Sequence, residues 1–278
     1  MKLAVRSQDL NAGDAAGLAV RLGECRIDGL QLACHKTFGR IKNEPGQLSG
    51  EFLSEFRALK GAGKEVFLMG AYFNPVHGDA EKVKKGVEIF KEHIRLCGYA
   101  GCRAVGSETG SYNGDSWTYN PLNRTEGALN RVAGIFRELC DYAEPYGVRV
   151  GIEGAAGHVA YSPETLDRLL EKIGRENARV IFDLFNYLDG GNHARYLDIL
   201  KRGLDLFKGR IFCFHMKDCV VENGAAKQVA VGRGGFDYRR ILTLIREYDE
   251  NAVMVLEGTA GGDIIPAVDL IRTTWENL

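Results

Sequence analysis

Arg210-Ile-Phe-Cys-Phe-His-Met-Lys-Asp218 decides the fold of this chain, because four apolar residues run straight into His215, Lys217 and Asp218. The stretch reads as a buried strand that ends in chemistry. Three others have the same shape: Arg149 to Glu153 ends on Glu153, Val180 to Asp183 on Asp183, and Ala252 to Glu257 on Glu257. A continuous apolar run is what a parallel strand covered on both faces requires. In a closed α/β barrel the reactive groups sit at the carboxyl ends of such strands. Glu153, Asp183, His215 and Glu257 are therefore expected to converge on one rim.

Working outward, the 278 residues suit one α/β barrel, which typically needs about 250. We expect a single (β/α)8 TIM barrel domain spanning 1–278. The first strand is Leu3 to Val5, followed by a helix capped by Asp14 that runs to Cys25. Strand two is Gly29 to Cys34, and a helix opens at Ser49 or Gly50 and runs to Lys60. Strand three is Val66 to Tyr72, with Asp79 capping a helix to Leu96. Strand four, Ala104 to Ser107, leads into Glu108-Thr109-Gly110-Ser111. A polar loop from Tyr112 to Arg124 precedes a helix from Thr125 to about Tyr146. Ser162 caps the helix after strand five, and another runs from about Asn192 to Phe207 after strand six. Val220 to Gly235 reads as a glycine-rich loop, Asp237 to Tyr248 as a helix, and the last helix spans about Asp263 to Trp275. An open doubly wound sheet would alternate in the same way, but it usually carries a glycine fingerprint after its first strand, and Arg6 to Asp14 has none.

Net charge is -1 with 26% charged residues and no long basic run, so nothing predicts an electrostatic grip on nucleic acid or on an anionic membrane. The chain opens without an apolar signal core, and no run of about 18 apolar residues occurs. A soluble cytoplasmic protein is expected. The seven cysteines are odd in number and scattered, with no Cys-x-x-Cys, which suits buried thiols in a reducing compartment.

Three carboxylates and one imidazole on consecutive strands suit one divalent ion. The mostly oxygen donor set favours Mn2+, with Mg2+, Co2+ and Zn2+ as alternatives, over a structural zinc site built on cysteines. The competing reading is four ordinary charged strand ends, which four coincidences in a row make a poor account. Other residues are candidates to touch substrate. Glu108 ends strand four and either reaches the pocket or caps a loop. His158 either binds substrate or caps the next turn. Lys217 shares the inward side with His215. Trp117, with Tyr112 and Tyr119, stands in a loop long enough to be functional. His77 follows strand three and reads as a solvent-facing loop residue. His35, His93 and His193 read as structural or surface groups.

Phe-His-Met-Lys-Asp at strand seven, followed by Val231-Gly-Arg-Gly-Gly-Phe-Asp-Tyr238, resembles the His-x-Lys-Asp and Pro-Gly-x-Gly-x-x-Asp-Tyr pattern of the xylose isomerase-like sugar phosphate isomerase/epimerase superfamily. Ile152-Glu153 and Leu256-Glu257 are similar to its two metal-bound glutamates. The resemblance implies a TIM barrel with one divalent ion on Glu153, Asp183, His215 and Glu257, the two glutamates doubling as acid and base. The chain departs from the pattern at Arg233, where a glutamate is common, and at Asn186, where a histidine is common. Both are candidate substrate contacts. Arg233 could clamp a carboxylate, a phosphate or a hydroxyl row, or form a rim salt bridge.

The chemistry expected is isomerisation or epimerisation of a ketose or related hydroxy-carbonyl through an enediolate, on a small sugar or polyol. Three alternatives stand beside it: dehydration of an inosose-like keto-polyol, a non-catalytic sugar-binding barrel, and an apurinic endonuclease. The last needs three zinc ions on additional histidines, and neither Val220 to Gln228 nor Asn186 supplies one. A homo-oligomer stays open.

Overall fold

The computed structural model describes residues 1–278. Eight parallel strands close a barrel: β1 (Lys2–Arg6), β2 (Gly29–Leu32), β3 (Glu65–Gly70), β4 (Ala104–Glu108), β5 (Arg149–Glu153), β6 (Ala178–Asp183), β7 (Ile211–Met216) and, after a two-stranded insertion, β10 (Val253–Leu256). Helices cover the outside, the longest being Ala80–Cys97 and Glu126–Ala143. The chain is thus a (β/α)8 TIM barrel.

Glycine makes the barrel interior fillable. A Cβ at Gly106 would stand 2.5 Å from Ile181 Cδ1, and one at Gly151 2.9 Å from it. β4 and β5 therefore offer no side chain at that level, and Ile181 crosses from β6 to occupy the space. Ala4, Leu68, Ala104, Cys213 and Val255 pack with it, so the centre is a small-residue core rather than a pore. The larger apolar layer lies between strands and helices. All seven cysteines are free and buried, six of them within these layers and Cys219 in the insertion.

Side-chain caps start the helices where the sequence places them. Asp14, Ser49, Asp79, Thr125, Ser162 and Asp237 each accept a hydrogen bond from a backbone N–H in the first turn. Each such cap is worth about 1 kcal/mol. No helix is long and apolar enough to cross a membrane.

Three expectations need correction. Val220 to Gly235 is not all loop: β8 (Asp218–Glu222) and β9 (Ala225–Val229) form an antiparallel hairpin. Its turn, Asn223-Gly224, has both residues at positive φ (52° and 76°), the geometry of a two-residue hairpin turn. Past Cys219 the flanking strands are exposed or half-buried, and neither Asp218-Cys-Val-Val-Glu222 nor Ala225-Ala-Lys-Gln-Val229 shows the apolar alternation by which strands are read. Strand two stops at Leu32, and Cys34–Thr37 forms a helical turn instead. Strand three stops at Gly70, two residues short of Tyr72.

The glycine-rich motif after the hairpin is tied to strand seven by Asp218. Its carboxylate accepts from the backbone N–H groups of Cys219 (2.8 Å), Gly232 (3.0 Å) and Phe236 (3.1 Å). A Cβ at Gly234 would collide with that carboxylate at 2.2 Å. The Tyr238 hydroxyl donates to the Lys217 carbonyl at 2.9 Å. These residues hold the loop against the rim beside His215.

Candidate metal centre

Four adjacent strands, in the order β5, β6, β7, β10, bring Glu153, Asp183, His215 and Glu257 to one level. Asp183 is register-paired with His215, and Glu257 directly follows β10. One donor atom from each of the four lies within 4.8 Å of the others. His215 Nδ1 faces the carboxylates, 2.9 Å from Glu257 Oε2, 3.2 Å from Glu153 Oε1 and 3.8 Å from Asp183 Oδ2. Three carboxylates and an imidazole at this spacing form a hard donor set that fits a divalent cation. The cluster could hold one.

Cationic side chains surround the set. Lys217 Nζ stands 2.7 Å from Asp183 Oδ2 and 3.2 Å from Glu257 Oε1, and Arg6 Nη1 is 2.8 Å from Glu257 Oε1. Burial would raise the Glu257 carboxyl, but Lys217, His215 and Arg6 hold it well below the usual range. Asp183 moves the other way: burial raises it to about 6, with Glu153 and Glu257 assisting against Lys217. Burial would lower His215, yet the Glu153 and Glu257 carboxylates carry it to about 10. A proton on Nδ1 and a metal compete for the same lone pair.

Asn186 binds the group together rather than standing apart from it. Its side-chain N–H donates to Glu153 Oε1 at 2.7 Å, its side-chain oxygen accepts from Lys217 Nζ at 2.9 Å, and its backbone N–H donates to Asp183 Oδ1 at 3.1 Å. Glu108, register-paired with Glu153, has His158 Nδ1 3.4 Å from its Oε2. Burial raises Glu108 to about 7, with Lys217 pulling against it. Burial also pushes His158 down to about 4, despite the nearby Glu153 carboxylate, so the imidazole is neutral at pH 7. Trp117 leans edge-on against His158, ring centroids 5.6 Å apart.

The structure leaves Arg233 outside this group. Its guanidinium pairs with Asp263 on the rim, through Nε at 2.8 Å and Nη2 at 2.7 Å. His77 lies against Asp115 at 3.4 Å, on the wall of a cavity of about 240 Å3 that Tyr72, Asn74 and Trp117 also line. The loop carrying Trp117 is anchored by buried amides. Asn74 donates to the Ser111 and Gly114 carbonyls, and Asn123 to Ser111 Oγ and the Gly157 carbonyl.

Three residues at the centre escaped the sequence reading: Arg6, Gln31 and Tyr72. Arg6 ends strand one just as Glu153 ends strand five, an apolar run breaking into charge. Gln31 is a lone amide inside the apolar run Gly29-Leu30-Gln31-Leu32, and it is 1% exposed. Both signals were present. Tyr72 had none, since an aromatic after a strand is ordinary.

Residues 18–274 match the family described as xylose isomerase-like TIM barrel. This chain belongs to that family. Among its relatives is an inosose isomerase of Bacillus velezensis, 27% identical over 132 residues, which make up 45% of this chain and 45% of that one. The chain spans about half the length of the curated relatives it matches. Among solved structures, a D-tagatose 3-epimerase-like protein superposes with a TM-score of 0.77 at 18% identity, covering 100% of this chain and 98% of the other. The IOLI protein with a bound zinc atom gives 0.73 at 18%, covering 100% and 97%. At such identities the likeness of this xylose isomerase-like barrel to those structures is one of fold.

The placement of Trp117 makes a separable prediction. Replacing it by Ala should raise KM at least about tenfold while lowering Tm by only a few degrees, because the half-buried indole packs on His158 and the cavity rather than in the apolar layers. A falling Tm with an unmoved KM would mark the ring as packing alone.

Proposed function

We propose that this xylose isomerase-like barrel is a divalent-metal-dependent sugar isomerase or epimerase that moves a carbon-bound proton on a ketose or related hydroxy-carbonyl. The observation that carries the reading is the placement of Glu153 and Glu257 on the outer two of four adjacent strands, with Asp183 and His215 between them. A divalent ion held by these four residues supplies Lewis acidity at the substrate oxygens. Mn2+ suits the donor set best.

The chain's own groups do the rest. One glutamate takes the proton from the substrate carbon and the other returns it, the two standing on different sides of the group. Glu257, kept ionised by Lys217, His215 and Arg6, starts as a base. Asn186 fixes the Glu153 carboxylate through Oε1, so that its second oxygen is free for proton transfer. Lys217 bridges Asp183 and Glu257 and offsets the repulsion between their charges.

A second reading, dehydration of a keto-polyol, is favoured by Glu108. Raised to about 7, it is protonated in about half of the molecules at neutral pH and can give that proton to a departing hydroxide, which would leave as water. One experiment tests both: ketoses, keto-inositols and hydroxypyruvate incubated in deuterium oxide with Mn2+ and followed by NMR. Carbon-bound deuterium with all hydroxyls retained supports isomerase or epimerase chemistry, and loss of a hydroxylated carbon signal supports the dehydratase. A protein that loads metal yet exchanges no substrate proton would overturn both and leave a sugar-binding barrel.

A further inference from the structure

The half of the rim opposite the carboxylates holds a buried polar relay that the proton chemistry does not use. His215 Nε2 lies 2.8 Å from Gln31 Oε1, and Gln31 Nε2 lies 2.5 Å from the Tyr72 hydroxyl. Gln31 is buried within β2. The Tyr72 ring has a close neighbour along one edge and a cation over its face. A Cβ at Gly70 would stand 2.6 Å from Tyr72 Cε2, so the glycine leaves the ring its place, and the Lys36 ammonium lies 4.5 Å from the centroid.

Donor and acceptor bookkeeping gives this relay a direction. An imidazole bound to a metal through Nδ1 carries its N–H at Nε2 and must donate there. Gln31 can answer only with its oxygen, which turns its NH2 group toward Tyr72. The phenol oxygen accepts from Gln31, and its own hydrogen has no protein acceptor within reach. Tyr72 also lines the cavity that Trp117 borders, and it stands two hydrogen bonds away from the His215 ring.

We propose that Tyr72 is a specificity-determining residue that donates its hydroxyl hydrogen to an oxygen of the substrate chain beyond the chelated pair. The site thereby selects a polyhydroxylated chain of more than two carbons. Gln31 is the positioning residue that sets the direction of this hydrogen bond. The inference rests on the metal-dependent reading above, and its test is built to fail separately from it.

The test is calorimetric binding of two metal-chelating hydroxamates to Mn2+-loaded protein: glycolohydroxamate, with two carbons, and threonohydroxamate, with four. Wild type should bind the longer one more tightly. Tyr72→Phe should lose about five- to tenfold in affinity for threonohydroxamate and nothing for glycolohydroxamate, with Mn2+ affinity unchanged. Gln31→Glu keeps the size but offers acceptors to both neighbours, turning the Tyr72 hydrogen back into the protein. It should lose the same preference, and the double variant should lose no more than either single one. A Tyr72→Phe protein that keeps the wild-type ratio of affinities overturns the assignment, as does a wild type that gains nothing from the longer chain. A Gln31→Glu protein that retains the preference overturns the directional argument. If wild type takes up Mn2+ but binds neither hydroxamate, the metal-dependent reading itself falls, and the Tyr72 inference with it.

Discussion

Glu257→Gln and Glu153→Gln, each fully loaded with metal, are expected to turn over roughly 100-fold or more slowly than wild type, the usual worth of a positioned acid or base. Glutamine keeps the size and one oxygen donor of glutamate but removes its basic form. Metal should therefore be retained at reduced affinity, which separates loss of chemistry from loss of the ion. The two variants should also differ from each other. Each glutamate serves its own side of the substrate carbon, so solvent exchange measured by NMR should survive in opposite directions in the two proteins. Glu257→Gln should in addition weaken the hold on Lys217 and Arg6, since both now pair with its Oε1. A metallated variant that exchanges substrate protons at the wild-type rate has lost a ligand only. The base would then be sought at Glu108, His158 or Lys217, which border the same space.

The second large effect concerns His215. Changing it to Ala removes the one nitrogen donor and leaves Glu153, Asp183 and Glu257 close together with only Lys217 and Arg6 to balance them. Elemental analysis of protein purified without chelator should find about one divalent ion per chain in wild type and background levels in the variant. Thermal unfolding gives an independent check. Metal at about 100 times its Kd stabilises the native state by about 2.7 kcal/mol, so chelator should lower the wild-type Tm by several degrees and leave that of His215→Ala unmoved. Unchanged metal content in the variant would remove His215 from the ligand set. The same comparison separates His215 from its neighbour Gln31, whose loss should weaken metal binding about 10- to 100-fold without abolishing it.

The barrel itself was written in the strands. Buried parallel strands must be apolar along their length, and the rim begins where they stop being so; Glu153, Asp183, His215 and Glu257 each stand at such a stop, and the structure brings all four together. Helix starts were equally legible, because an N-cap such as Asp14 or Ser162 acts within one turn of its own position. Where the sequence reading went astray or stayed open, the local pattern was weak or the deciding partner was distant. The β8–β9 hairpin has little apolar pattern because both its faces are largely solvated, and only its Asn223-Gly224 turn announced it. Arg233 sits in a motif next to strand seven, yet whether it reached substrate or Asp263 depended on a residue 30 positions away.

What the sequence by itself determined, then, is the closed barrel and the residue types on the carboxylate half of its rim, since both follow from local runs of polarity. Tertiary structure alone decided which groups answer them. Gln31 faces His215 across a sequence separation of 184, and Arg6 reaches Glu257 across 251. Closing the barrel brings β2 and β7, three strands apart round the ring, to face each other across the rim and sets β1 beside β10, and no periodicity along the chain encodes which hydrogen-bond donor will then meet which acceptor.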